Sequence, residues 1–221
     1  MTVYFTALAA ILLVGGLAWV GSVLVHKVSF VDSLWSLFFL LAAAVFAINA
    51  GELSGRAILV LALVTLWSLR LSLYITIRNW GEAEDYRYEA IRANNEPGFV
   101  VKSLYIVFGL QGILAWIIAA PLLPAINSGG GPGIIDAVAV SLFALGFVFE
   151  GVGDWQLSRF KADPDNKGKV LDTGLWRYTG HPNYFGNGCI WWAFWLFAGA
   201  AGAGWAGWAA VLMTFLMLLL A

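Results

Sequence analysis

Four ionisable residues stand where an apolar chain should carry none. Asp32, Arg70, Glu150 and Asp154 fall inside, or at the edge of, long hydrophobic runs. A charge at mid-bilayer costs at least ~2.5–3.5 kcal/mol, so each needs a partner, a cavity or a chemical task. Glu150, Asp154, Ser158 and Lys161 recur at spacings of four, four and three, which puts them on one helical face. Trp67, Arg70 and Tyr74 share a face by the same rule, and Gln111 adds an amide to another apolar run. A second group lies at 174–187, where Arg177, Tyr178, His181, Asn183 and Tyr184 crowd one short stretch around Pro182. Proline is pre-organised for a first helical position, so a helix is expected to open at Asn183 and Tyr184. Its free N–H groups and positive dipole end suit a phosphate, with Arg159, Lys161 and Arg177 as cations for the same anion. Tyr86, Arg87, Tyr88 and Arg92 bring further phenols and guanidinium groups.

The elements that must position these groups follow from composition. Of 221 residues, 61% are hydrophobic and only 11% charged, less than half the usual share of a soluble domain. The surplus apolar surface implies lipid as a partner, and a net charge of -1 lacks the basic footprint that nucleic acid requires. The single cysteine, Cys189, excludes an internal disulfide, and no metal-ligand pattern stands out. The first apolar segment is too long for a signal-peptide core and lacks a basic residue before it, so it reads as a retained helix.

Seven segments are expected to span, near 3–25, 30–50, 57–77, 100–123, 134–155, 183–199 and 203–221. Ten of the twelve Lys and Arg fall in the odd-numbered connections, against Arg56 alone in the even ones. By the positive-inside rule the N-terminus is outside, the C-terminus is cytoplasmic, and loops 78–99 and 156–182 face the cytoplasm. Pro121, Pro124 and the run Ser128–Gly133 are expected to break the chain between spans four and five, the glycines as a flexible outer turn. Most of Trp191, Trp192, Trp195, Trp205 and Trp208 read as an interfacial belt, and Gly199, Gly202 and Gly204 permit close helix packing. The whole chain, 1–221, is one all-α integral membrane domain on this reading.

The stretch Gly174–Gly186, preceded by Phe149–Leu157 and Phe160-Lys161, resembles the bacterial DUF1295 branch of the steroid 5α-reductase family. Val31–Trp35, Leu66–Leu71 and Tyr86–Tyr88 fit the same pattern, in family order. The resemblance implies seven transmembrane helices in a bacterial inner membrane and NADPH bound from the cytoplasmic side. It also implies reduction of a carbon–carbon double bond conjugated to a ketone in a lipophilic substrate. Family cofactor positions carry onto Asp154, Lys161, Asn183 and Tyr184, with Arg177, Tyr178 and His181 in the same motif. Arg70, Arg87, Tyr88, Glu150 and Arg159 complete the candidate cofactor set.

The family's catalytic carboxylate falls nearest Asp32, with Tyr74 or Tyr86 as its phenolic partner. Such a carboxyl donates to a developing oxyanion only when protonated, a form that burial favours. This chain departs from the branch at Gly180, where Arg is usual, and at Asn187, where an acid is common. It also stops at Ala221 inside an apolar run, where the family continues into a basic, aromatic cytoplasmic tail. Two other functions fit parts of the pattern. One is an S-adenosylmethionine-dependent membrane methyltransferase of the isoprenylcysteine or phospholipid type, and the other is a transporter with an anion path. The substrate's identity and the oligomeric state are not readable from the sequence.

Overall fold

A computed structural model describes residues 2–220, and every regular element among them is helical. The order is α1 (Thr2–Val25), α2 (Val31–Ile48), α3 (Gly55–Asn79), α4 (Tyr86–Asn95) and α5 (Phe99–Ser103). A π-helical stretch, Leu104–Gly109, then runs into α6 (Leu110–Ile118), followed by α7 (Leu122–Asn127), α8 (Ile134–Ala162), α9 (Pro182–Ala200) and α10 (Gly207–Leu220). Among the described residues, five stretches are long and apolar enough to cross a membrane: α1, α2, α3, the run Phe99–Ile118, and α8. They correspond to the first five expected segments, except that the fourth ends five residues earlier than 123, at Ile118, and α8 continues seven residues further, to Ala162.

Helix α9 is rich in Gly, Asn and Trp, yet Ile190, Trp191, Ala193, Phe194 and Phe197 are wholly buried. The expected sixth and seventh segments, 183–199 and 203–221, are not among these five spans. The apolar helical stretch Gly204–Leu219 closes the described chain.

Caps fix the boundaries. The Ser54 hydroxyl accepts from Ala57 N at 3.2 Å to open α3, and Asp85 accepts from Arg87 N at 2.9 Å to open α4. Pro182 takes the first position of α9, as its backbone preference predicts. Pro121 and Pro124 do not simply break the chain. They occupy the N-cap and first turn of α7, where a missing N–H costs nothing, and α7 buries Leu122, Ala125 and Ile126 in the bundle.

Hydrogen bonds distant in sequence sort the connections to two ends. At one end Tyr4 bonds the Trp116 carbonyl at 2.8 Å, and Ser54 bonds the Ser128 carbonyl at 3.1 Å. A buried Arg56–Asp136 pair (2.7 and 3.0 Å) ties the start of α3 to the start of α8 at that same end. At the other end Lys27 reaches the Asn79 and Glu82 carbonyls, and Glu84 accepts from Val28 N and Ser29 N. This second end gathers the cationic connections and is the basic end of the bundle.

The centre of the bundle is aromatic. Trp191 lies 4.6 Å from Phe39 and 5.8 Å from Trp67 between ring centroids, with Phe194 at 5.4 Å. Its placement in an interfacial belt is therefore incorrect, because it points inward and is 0% exposed. Trp205 and Trp208 do face outward. Between lipid-immersed helices apolar burial supplies little drive, so close backbone approach matters more. That approach occurs between α8 and α9 at Gly146, Gly153 and Gly186, whereas Gly199, Gly202 and Gly204 have open space around them. A Cβ on Gly186 would lie 2.9 Å from Glu150 Cβ and closer still to the Gly146 carbonyl oxygen. We expect Gly186→Ala to destabilise the fold by about 1–3 kcal/mol through overpacking, read as a lowered unfolding midpoint in detergent. A midpoint equal to wild type would mean that the crossing yields freely.

Candidate active site

Asp32 lies in the first turn of α2 at the basic end. Its Oδ1 accepts from the Tyr88 hydroxyl at 2.5 Å, and its Oδ2 accepts from Arg87 Nη2 at 3.0 Å. Two donors, one of them cationic, are the partners of a carboxylate rather than of a carboxylic acid. Tyr88 is the buried residue of α4, and its oxygen also accepts from Gln111 Nε2 at 3.0 Å. The phenol on Asp32 is thus Tyr88. Tyr86 points outward at 77% exposure, and Tyr74 belongs to a separate cluster. Every member of this group is visible in the sequence, but the contact between Asp32 and Tyr88 is not. A ten-residue helix lying across the bundle end has no fixed phase relative to the spans, so nothing in spacing selects position 88 over 86.

The same helix is held by charge. Glu84 receives the two backbone N–H groups of the α1–α2 corner, and Arg92 lies over the Phe99 ring at 4.6 Å. The Arg87 guanidinium, hydrogen-bonded to Asp85, holds that carboxyl below its usual range. The stabilisation from this contact is present above the ordinary Asp range and is lost as pH falls from that range through the lower value of the folded protein. Burial, reinforced by the Asp32 charge, pushes the Tyr88 hydroxyl well above its ordinary value.

A second polar cluster joins α3, α8 and α9. Trp67 Nε1 donates to Glu150 Oε2 at 3.0 Å, and Arg70 Nη1 lies 3.2 Å from the same oxygen. Arg70 Nη2 also binds Asp154, and the Tyr74 hydroxyl meets Ser158 Oγ at 3.1 Å. From α9, Asn187 Nδ2 donates to Glu150 Oε1 at 3.0 Å and Asn183 Nδ2 to Asp154 Oδ1 at 3.2 Å. The two faces read from spacing, Trp67/Arg70/Tyr74 and Glu150/Asp154/Ser158, meet rung by rung. Lys161 lies beyond the ladder, on the last turn of α8. The backbones of α3 and α8 approach at few points, so side chains bridge the gap. Glu150 and Asp154 thus receive donors from both α3 and α9, which ties three helices together, while Asn183 Oδ1 and Asn187 Oδ1 are buried without a hydrogen-bond partner.

The connection from α8 to α9 forms a cavity of about 830 Å³. Lys161, Lys167, Lys169, Trp176, Gly180 and His181 line it, together with Asp163 and Asp172. None of the three lysines has an ion-pair partner among the described residues. Lys167 and Lys169 were visible in the sequence only as part of a charge count. The far wall docks onto α8 where Leu175 N donates to Gln156 Oε1 at 3.0 Å and Trp176 Nε1 to the Gly153 carbonyl at 3.1 Å. Gly174 has φ +61 directly over Gln156, a left-handed turn with no room for a side chain.

His181 stacks on Tyr184 with centroids 5.2 Å apart, at the opening of α9. Tyr178 is 82% exposed, and Arg177 makes no ion pair among the described residues. Arg159 lies over the Trp155 ring at 5.3 Å. A Cβ at Gly180 would meet open space.

No solved structure matches the chain. An uncharacterised protein of Schizosaccharomyces pombe is 29% identical over 214 residues, covering 82% of this chain and 60% of that relative. The chain therefore spans about 60% of the length of the curated relative it matches. A family described as a protein of unknown function, DUF1295, matches residues 18–221, and the chain belongs to it.

Proposed function

We propose that this protein is a membrane-embedded, NADPH-dependent reductase of a carbon–carbon double bond conjugated to a ketone in a lipophilic, steroid-like or isoprenoid-like substrate. The observation that carries the reading is the carboxylate–phenol pair, Asp32 with Tyr88, at the same end of the bundle as a lysine-lined cavity. In this reading seven helices span a bacterial inner membrane, the N-terminus lies outside, and the basic end faces the cytoplasm. The polarity supports it, since ten of the twelve Lys and Arg lie in connections of that end.

The cavity's residues fit the cofactor. Its volume, about 830 Å³, lies within the roughly 300–1,000 Å³ common for ligand pockets. Three ammonium groups without ion-pair partners among the described residues offer charge-assisted hydrogen bonds to phosphate oxygens. Trp176, His181 and Tyr184 offer flat faces beside them. Lys161, Lys167 and Lys169 would hold the phosphates; when bound, the reduced nicotinamide supplies a hydride. With substrate bound, the Tyr88 hydroxyl would turn its one proton from Asp32 to the carbonyl oxygen, beside an N–H of Arg87, as negative charge develops there. Asp32 holds both donors at one place, and the α3–α8–α9 ladder fixes the helices that carry the pocket.

Thermal protection of the purified protein tests this reading. NADPH is expected to raise the unfolding midpoint and S-adenosylmethionine to leave it unchanged. The reverse pattern would replace reduction by methyl transfer, and protection by neither, with anion uptake into proteoliposomes, would favour transport. We expect the double variant Lys167→Ala, Lys169→Ala to weaken NADPH binding about tenfold, the scale of one charge-assisted hydrogen bond. The loss should shrink as salt rises, because these side chains are exposed. Unchanged affinity at low salt would remove the phosphates from this cavity.

A further inference from the structure

We propose that Gln111 is the positioning residue for Tyr88, holding the phenol oxygen from the side opposite Asp32 so that its single proton points toward the carboxylate. The inference rests on the reductase reading only for its kinetic consequence; the positioning itself is a property of the resting protein.

The hydrogen-bond inventory fixes the direction of the contact. A phenol has one proton, and in the structure Tyr88 gives it to Asp32 Oδ1 at 2.5 Å. The Gln111 atom 3.0 Å from the same oxygen must therefore be a donor, so the amide presents Nε2 and not Oε1. Gln111 thereby removes one acceptor site of the phenol and restrains the direction in which its O–H points. An N–H aimed at the oxygen also stabilises negative charge there, which makes Tyr88 a readier donor than its burial alone would allow.

The backbone provides an independent observation. Gln111 is the second residue after the π-helical stretch Leu104–Gly109. A π turn holds an extra residue and rotates the downstream helix by about 100° relative to a continuous α-helix, and such turns collect at functional sites. Here the rotation brings Gln111 round to Tyr88. Gly109 eases the turn, because a Cβ there would lie a tight 3.2 Å from the Leu104 carbonyl oxygen. On the other side of the run, Trp19 Nε1 donates to the Val100 carbonyl at 2.9 Å and anchors the segment before the π turn. The single polar side chain of α6 thus meets the buried polar side chain of α4.

The test reads Tyr88 directly. A polyfluorinated tyrosine at position 88 lowers the intrinsic pKa into an accessible range and reports its ionisation by ¹⁹F resonance. Gln111→Met keeps the length of the side chain without a donor; Gln111→Asn keeps the amide but withdraws it by one methylene. Each is expected to raise the transition of residue 88 by about one unit or more, the loss of one hydrogen bond to a charged phenolate. A transition unchanged or lowered in the variants that fold would overturn the assignment. Should neither variant fold, the same probe in wild-type protein decides through hydrogen–deuterium exchange of the Gln111 side-chain amide. Slow exchange supports the contact, and exchange at the free-amide rate overturns it. With an enone substrate, Gln111→Met should lower kcat about tenfold and leave the KM for NADPH unchanged. Because the ¹⁹F titration needs no turnover, failure of the reductase reading would leave its result intact.

Discussion

Tyr88→Phe should reduce NADPH-dependent enone reduction by about 10²–10⁴-fold, the range lost when one positioned acid or oxyanion donor is removed. The substitution deletes only the hydroxyl, so the ring stays packed against its neighbours and the protein should remain folded. Asp32→Asn should fall in the same direction, since it leaves Arg87 and the Tyr88 hydroxyl without the anion that gathers them. Tyr86→Phe is the matched comparison, because its hydroxyl makes no hydrogen bond among the described residues and its side chain faces outward. It should keep near-wild-type turnover. Initial rates of NADPH oxidation with a lipophilic enone, taken across the four proteins, decide the matter. Equal rates for Tyr88→Phe and Tyr86→Phe would dissolve the assignment, whatever the absolute activity.

The second large effect concerns stability. Arg70 contacts both Glu150 and Asp154, and those two carboxylates are buried at 3% and 4% exposure. Arg70→Met would strand two acids whose charge no other cation in contact offsets among the described residues. Breaking a buried pair in this way costs about 3–5 kcal/mol, whereas replacing the whole group by neutral residues is often nearly neutral. The expected pattern is therefore a large loss for Arg70→Met and a substantial recovery in the triple variant that adds Glu150→Gln and Asp154→Asn. Unfolding midpoints in one detergent supply the comparison. A loss below about 1 kcal/mol for the single variant would mean that the cluster is solvated rather than dry. No recovery in the triple variant would mean that Arg70 matters for its shape and not its charge.

The legible part of this molecule was the part written in helical period. Trp67, Arg70 and Tyr74 were placed on one face, and so were Glu150, Asp154 and Ser158, because 3.6-residue spacing survives in any straight helix. That the two faces meet each other also agrees with the cost of charge in lipid. Pro182 marked the start of α9 through its fixed φ. The illegible part was written in rotation and crossing. Trp191 resembles Trp205 in composition and neighbourhood, and only the enclosure of α9 by its neighbours separates a core ring from a rim ring. The π stretch before Gln111 leaves no strong sequence mark beyond Gly109, yet it decides which way the amide turns. Arg56 was seen as a lone outer cation, although Asp136, eighty residues later, neutralises it. Pairing across that separation depends on which helices become neighbours, which no local pattern encodes.

The ion pairs of α3 also carry a consequence for the order in which the chain is made. Arg56 precedes Asp136 by 80 residues, and Arg70 precedes Asp154 by 84. At about 5–20 residues per second, each arginine waits roughly 4–16 s during synthesis before its acid has been added. Two of the three arginines of helix α3, Arg56 and Arg70, therefore leave the ribosome before the acids that pair with them in the fold. A pause or premature stop between Asn79 and Asp136 would release a product that is apolar, charged and unable to complete itself.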